Sequence, residues 1–188
     1  RPSWNVQDPA VIAETLGREI DVFTGGIDAL WRHHDYAIAI MESLTGRPLA
    51  RTWLHGEHLL VEGEKKSKSR GNIVYPGDLL QRGYRPQALR LFLVAGGHYR
   101  EKLDFTGARL DRMSGELARV GRLLHRLLRR GEAPAKISSR IEALVNDLQP
   151  GFDRRLDDNL DVPGAWRFFV STIDELARHG LKTRQRSG

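Results

Sequence analysis

The sequence predicts an α/β segment followed by an all-α one, on three observations. An apolar, β-branched run, EIDVFT (19–24), meets Gly25-Gly26 and then a long helical pattern from Ile27 to Thr45. Strand, glycine turn and helix in that order make one unit of a parallel sheet. ARTWLHGEHLLVEGEKK, from Ala50, alternates like a pair of strands with a turn at Glu62-Gly63. From about Thr106 the texture changes: Leu110, Met113, Leu117, Val120, Leu124 and Leu127/Leu128 recur at spacings of three and four. That spacing puts an apolar stripe on one face of a helix.

Taken in order, Asp8-Pro9 is a helix-start signal, an N-cap acceptor before a residue whose fixed φ suits the first turn. PAVIAETLG is therefore expected as a short helix closed by Gly17. Residues 19–24 follow as a buried strand, and the helix from Ile27 ends at Gly46 and Pro48. After Asn72, IVYPGDLLQRG and RPQALRLFLVAGG read as helices with Pro76 and Pro86 near their starts. TGARLDRMSGELARVGRLLHRLLRR is one amphipathic helix, and GEAPAK (131–136) is a linker. ISSRIEALVNDLQ and AWRFFVSTIDELARHG are further helices, the latter prepared by Pro163, and LKTRQRSG (181–188) reads as a frayed tail. No internal repeat is visible.

Composition narrows the function classes. The chain has 188 residues, 40% hydrophobic and 29% charged, enough for one domain or two small ones with a sizeable core. No apolar run approaches the roughly 20 residues that span a bilayer, and RPSWNVQDPA has no signal-peptide h-region. No membrane partner is expected. With no cysteine there is neither a disulfide framework nor a thiolate metal site, which fits a cytoplasmic location. A net charge of +6 and a pI of about 10.0 favour a polyanionic partner, nucleotide phosphate or nucleic acid. The chain starts at Arg1 and enters a folded pattern at once, which predicts a fragment or processed piece.

Several constellations could carry chemistry. In TGGIDALWRHHD the glycines let backbone approach a ligand, and a helix starting there offers free N–H groups. Asp28 could accept hydrogen bonds from ribose hydroxyls, or be only an N-terminal helix acid. His33 and His34 lack a helical zinc partner, since Ala37 and Ile38 stand four residues on, so no metal site is expected. EKKSKSRGN (64–72) reads either as a solvated loop or as a phosphate clamp, flexible cations able to follow moving phosphate charge. Arg109, Arg112, Arg119, Arg122, Arg126, Arg129 and Arg130 give the long helix a basic edge. It could track an RNA backbone or lie solvated over apolar surface. No aromatic interleaving suggests base stacking.

Together these stretches resemble the cysteinyl-tRNA synthetase family of class I aminoacyl-tRNA synthetases. Lys65, Lys66, Ser67, Lys68 and Ser69 stand in the five positions of the family's KMSKS signature, with Lys66 in place of methionine, and RGN follows. RPSWNV, FTGGIDALWRHHD, HYREKLDF and LDDNLDVPGAW match in the same order over nearly the whole chain. The resemblance implies the C-terminal half of a Rossmann-type nucleotide-binding catalytic domain over 1–100. A helical junction and anticodon-binding-like bundle would occupy 101–188. It implies ATP with Mg2+, an amino acid and tRNA as partners. Gly25, Gly26 and Asp28 would face the adenosine; Lys65, Ser67 and Lys68 would meet the phosphates, with Lys65 and Lys68 catalytic as carboxylate attacks the α-phosphate.

The implied amino-acid pocket holds Trp4, Asp8, Phe23, His33 and Ala37. Here the sequence departs from the family. Asp8 stands at a zinc-binding cysteine, Ala37 at a zinc-binding glutamate and Phe23 at a histidine near the substrate, with His33 kept. Zinc is therefore not expected. The first catalytic signature, HIGH, is absent, so the sheet is expected to be covered by a missing N-terminal half or by another chain. Two functions follow. One is amino-acid activation through an aminoacyl-adenylate, with tRNA or a small amine as acceptor, as in the related ligase of mycothiol assembly. The other is a non-catalytic or divergent paralogue that binds nucleotide or tRNA.

Overall fold

Ser3, not Asp8, caps the first helix. Its carbonyl accepts from the backbone N–H groups of Val6 and Gln7, both at 3.0 Å, so α1 runs Trp4–Thr15 with Pro9 inside it. The hydrogen bond that an interior proline forfeits is offset by burial of its ring. The computed structural model describes residues 3–65, 71–129 and 137–182.

The expected strand–glycine–helix unit is present. β1 (Ile20–Gly26) pairs in parallel with β2 (Ala50–Gly56), placing Phe23 beside Trp53 and Gly25 beside His55. Between them lie a 3-10 turn (Ile27–Ala29), a π-helical turn (Leu30–His34) and α2 (Asp35–Thr45). Gly46, at φ 66°, closes α2 in the left-handed region that glycine adopts without strain. Ala37, Met41 and Leu49 form the core here, with Ile12, Ala13, Phe23 and Trp53 packed on it. β1 is not the buried strand expected from its composition: Val22 is 54% exposed. Parallel strands need cover on both faces, and among the described residues this sheet has only β1 and β2.

The alternating stretch from Ala50 divides differently from expectation. β2 spends its ladder on β1, and the hairpin is formed by β3 (Leu59–Val61) and β4 (Glu64–Lys65), with Leu60 opposite Lys65. Its tight turn has Glu62 at φ 51° and Gly63 at φ 77°, as a two-residue hairpin loop requires. A further strand, β5 (Leu103–Phe105), lies on the other side of β3; three residues are too short to leave a periodicity.

Prolines open α3 (Pro76–Gln81) and α4 (Pro86–Ala95) at their first turns. Thr106 caps α5 (Gly107–Leu128), its side chain accepting from Arg109 N–H at 3.2 Å. α6 (Ser139–Asp157) runs on through Pro150, past its expected end at Gln149. α7 (Val162–Lys182) packs on α5 through Leu123, Ile173 and Ala177, with an Arg119–Asp174 ion pair alongside. The expected 131–136 linker and the end of the tail lie outside the described residues.

The chain divides into two compact units, Arg1–Leu59 with Tyr99–Lys102, and Leu60–His98 with Leu103–Gly188. These units differ from the 1–100 and 101–188 domains expected above, because α3 and α4 belong with the later helices. Among the described residues no helix is long and apolar enough to cross a membrane.

One contact in the second unit gives a direct test. A Cβ on Gly151 would stand 2.3 Å from Cζ of Phe168, whose ring carries the Arg155 guanidinium at 4.1 Å. Gly151→Ala is expected to lower stability by about 1–3 kcal/mol in urea unfolding, the usual cost of overpacking.

Candidate functional site

The ends of β1 and β2 gather the side chains able to do chemistry in the first unit. Phe23 stacks on Trp53 at 4.6 Å between ring centroids, and the parallel register carries His55 next to Gly25. A Cβ on Gly25 would stand 2.4 Å from Cε1 of His34, so the space of the missing side chain is filled by that imidazole. His34 Nδ1 and His55 Nε2 are 2.7 Å apart. One ring must donate and the other accept, which requires one of those nitrogens to be unprotonated. His34 also tilts against Phe23 at 4.6 Å and against Trp53 at 5.6 Å.

Helical spacing explains which histidine faces inward: His34, Ala37 and Met41 stand at i, i+3 and i+7. His34 shares its inner face with Ala37 and Met41, all three buried, whereas His33 is only half-buried and its Nδ1 lies 3.2 Å from Asn5 Oδ1. Burial, then repulsion from His55 and His33, holds the His34 pKa below 6.5 despite Asp8 and Asp35.

Gly26 has a different neighbour. A Cβ there would meet Asp28 Oδ1 at 2.6 Å, so the Asp28 carboxylate folds back over this glycine. Asp28 is 61% exposed and its Oδ2 lies 3.9 Å from His58 Nε2, which leaves it open to accept from a ligand. Beside it, a cavity of about 310 Å³ is lined by Ile27, Trp53, His55, Glu57, Tyr99 and Arg100. This is the carboxyl end of two parallel strands, where open α/β sheets bind their ligands, and the volume lies at the small end of ligand sites.

Of the sequence-derived pocket residues, Phe23 and Ala37 belong to this cluster, His33 stands behind it, Asp8 is half-buried on α1 and Trp4 is 68% exposed. His55, Trp53, Glu57, Tyr99 and Arg100 were not legible as site residues, and His34 only as a metal ligand without a helical partner. The Trp53-Leu54-His55 alternation on one strand face was the available signal for two of them. In the second unit Lys65 is exposed at the end of β4, and its carbonyl accepts from Asn72 Nδ2 at 3.3 Å, which ties the two ends of the lysine loop. Lys66, Ser67, Lys68 and Ser69 lie outside the described residues.

The model of the class I (C) tRNA synthetase catalytic domain matches residues 1–115. The chain belongs to that family. Curated relatives include the cysteine–tRNA ligase of Leptospira interrogans serovar copenhageni, 41% identical over 182 residues, covering 94% of this chain and 38% of the relative. That of Synechococcus sp. JA-3-3Ab is 36% identical over 186 residues, covering 98% and 35%. The chain thus spans well under half the length of these relatives. Among solved structures, the ternary complex of Agrobacterium radiobacter K84 LeuRS with tRNA and LeuAMS aligns at a TM-score of 0.69 and 21% identity, covering 86% of this chain and 23% of that one. Mycobacterium tuberculosis methionyl-tRNA synthetase bound by methionyl-adenylate aligns at 0.67 and 22%, covering 82% and 32%. At such identity these likenesses establish the fold, α/β then helical, of Rossmann type.

The zinc ligand set that the resemblance implies is incomplete among the residues present. Ala37 offers no donor where the resemblance places a zinc-binding glutamate. Among the described residues no group of three or more His, Cys, Asp or Glu side chains could hold a metal ion.

The depressed His34 pKa fixes a pH dependence. Below 6.5 the unfolded chain takes up a proton that the folded ring accepts only at lower pH, so stability falls as pH drops through that window. Melting temperatures measured from about pH 7.5 to about pH 5 are expected to fall for the wild type and to fall less for His34→Gln.

Proposed function

We propose that this chain is part of an ATP-dependent aminoacyl ligase of the cysteinyl type, which activates its amino acid as an aminoacyl-adenylate. The observation that carries this is the family match over residues 1–115 together with an open aspartate beside a cavity at the carboxyl ends of β1 and β2. Gly25, Gly26 and Asp28 hold the adenosine, Asp28 accepting from the ribose hydroxyls. Lys65, Ser67 and Lys68 meet the phosphates of ATP, which arrives with Mg2+, and stabilise charge as pyrophosphate leaves. A further segment bearing the HIGH signature, on the same chain or another, completes the sheet. The two-stranded parallel sheet and the 38% coverage of the Leptospira relative support that.

Recognition of the amino-acid side chain is zinc-independent in this proposal. Phe23, Trp53, His34 and His55 offer ring faces and one imidazole hydrogen-bond pair where a thiolate-binding metal would stand in the family. The class of amino acid is read out by ATP–pyrophosphate exchange on the full-length gene product, screened across the amino acids. With the responding amino acid, Lys68→Ala is expected to lower exchange by on the order of 10²–10³-fold, the scale of removing one group that stabilises transition-state charge. Unchanged exchange would remove the lysine loop from catalysis. No exchange with any amino acid would favour the non-catalytic paralogue.

A further inference from the structure

The hairpin that carries Lys65 is too small to hold its own direction. β3 has three residues and β4 two, and a two-stranded pair is marginal in water even when longer. One position of its turn is strained, since Glu62 adopts φ 51° without being glycine. What steadies it comes from β5. Glu62 N–H donates to the Phe105 carbonyl at 3.0 Å, and Gly63 N–H donates to Asp104 Oδ1 at 2.8 Å. Both central donors of the turn are thus taken by two consecutive residues of one strand. The second bond ends on a carboxylate, the stronger class of acceptor for a backbone N–H.

Asp104 is itself held. Arg109, in the first turn of α5, donates from one nitrogen to the Asp104 carbonyl at 2.9 Å and from another to the Gly96 carbonyl at 3.0 Å. The planar fork therefore ties β5 to the end of α4. Gly96 also lies against this strand, for a Cβ there would stand 3.1 Å from Cδ1 of Leu103. Beyond the turn, Val61 opposite Glu64 and Leu60 opposite Lys65 carry the constraint into β4, and Asn72 Nδ2 donates to the Lys65 carbonyl at 3.3 Å. The series Arg109, Asp104, Gly63, Lys65 lies wholly within the second unit. The Asp104–Gly63 bond is exposed, and a hydrogen bond there adds only modestly to folding stability. A cation acting on developing charge gains far more from being held, since a displacement of about 1 Å can lower a rate on the order of 10²-fold.

We propose that Asp104 is a positioning residue for Lys65, acting through the Gly63 N–H, and that Arg109 holds Asp104 in place. This rests on the ligase reading, in which Lys65 meets the phosphates of ATP.

Two measurements test it. In amide hydrogen exchange of this chain read by NMR, Asp104→Ala is expected to speed exchange at Gly63 about tenfold or more. Asp104→Asn, whose Oδ1 still accepts, is expected to change it less than about threefold. In ATP–pyrophosphate exchange by the full-length gene product, Asp104→Ala is expected to lower kcat about tenfold while the KM for ATP moves less than about twofold. Asp104→Asn is expected to keep most of the rate, and Arg109→Met to lower kcat several-fold. In a Lys65→Ala background, Asp104→Ala is expected to change the rate less than about twofold, because the group it positions is gone. Circular dichroism and melting temperatures confirm that each variant folds. A Gly63 amide no faster in Asp104→Ala, an unchanged kcat, a loss confined to KM, or an equal loss with and without Lys65 would overturn the proposal and leave the ligase reading standing. A wild-type gene product without exchange for any amino acid would overturn both.

Discussion

The first unit turns on the absence of a side chain at position 25. The His34 imidazole occupies that space, 2.4 Å from where a Cβ would be, and the rest of the cluster follows from it. A ring seated under the glycine can reach His55 on the neighbouring strand, and the parallel register has already placed His55 there. Trp53, two residues earlier on the same strand face, then stacks on Phe23 and closes the apolar side. Gly26 makes a parallel allowance for Asp28. Both glycines are thus explained by packing within the chain. Glycine content alone says nothing about a nucleotide here; the case for one rests on the strand-end location, the exposed carboxylate and the family match.

That distinction bears on what was legible in the sequence. Periodicity located α3, α4, α5 and α7 and the β1–turn–α2 unit because each has an amphipathic or β-branched pattern longer than one turn, bounded by proline, glycine or threonine. It misplaced the start of α1, since a serine cap competes with the aspartate signal and a buried proline ring can sit inside a helix. It missed β5, and it ended α6 at Gln149, before a proline that the helix in fact runs through. At the site, residue type suggested His33 through its place in the family pattern. Helical spacing puts His34 on the buried face with Ala37 and Met41, while its cross-strand partner His55 could not be read from the sequence.

Charge patterning was legible as a total and illegible as a set of roles. One helix edge carries arginines that strap a loop, pair across to α7 or stand unopposed over a groove. What separates them is which element each faces: Asp174 on α7 answers Arg119, while the face towards Gly83 and Arg85 presents no acid. A basic edge read as one surface would have averaged paired arginines with unopposed ones.

The departures at the positions that the resemblance assigns to an amino-acid pocket are coupled by the same packing. Ala37 is 2% exposed and sits with Met41 and Leu49, with Phe23 and Trp53 laid against them. A glutamate at 37, as the family resemblance places there, would bury a carboxylate in this cluster, at a cost of several kcal/mol unless a cation or metal met it. A histidine at 23 would likewise bring a polar ring into the stack that now closes on Trp53. Losing the acid alone would leave a metal ligand set incomplete, and losing the polar ring alone would leave an acid against an apolar wall. Alanine at 37 and phenylalanine at 23 remove both polar groups together and leave an apolar packing cluster beside the His34–His55 pair. Under the proposed function, selection there would come from shape and from what the His34–His55 pair can donate or accept, a weaker and broader discriminator than a metal bound to a thiolate.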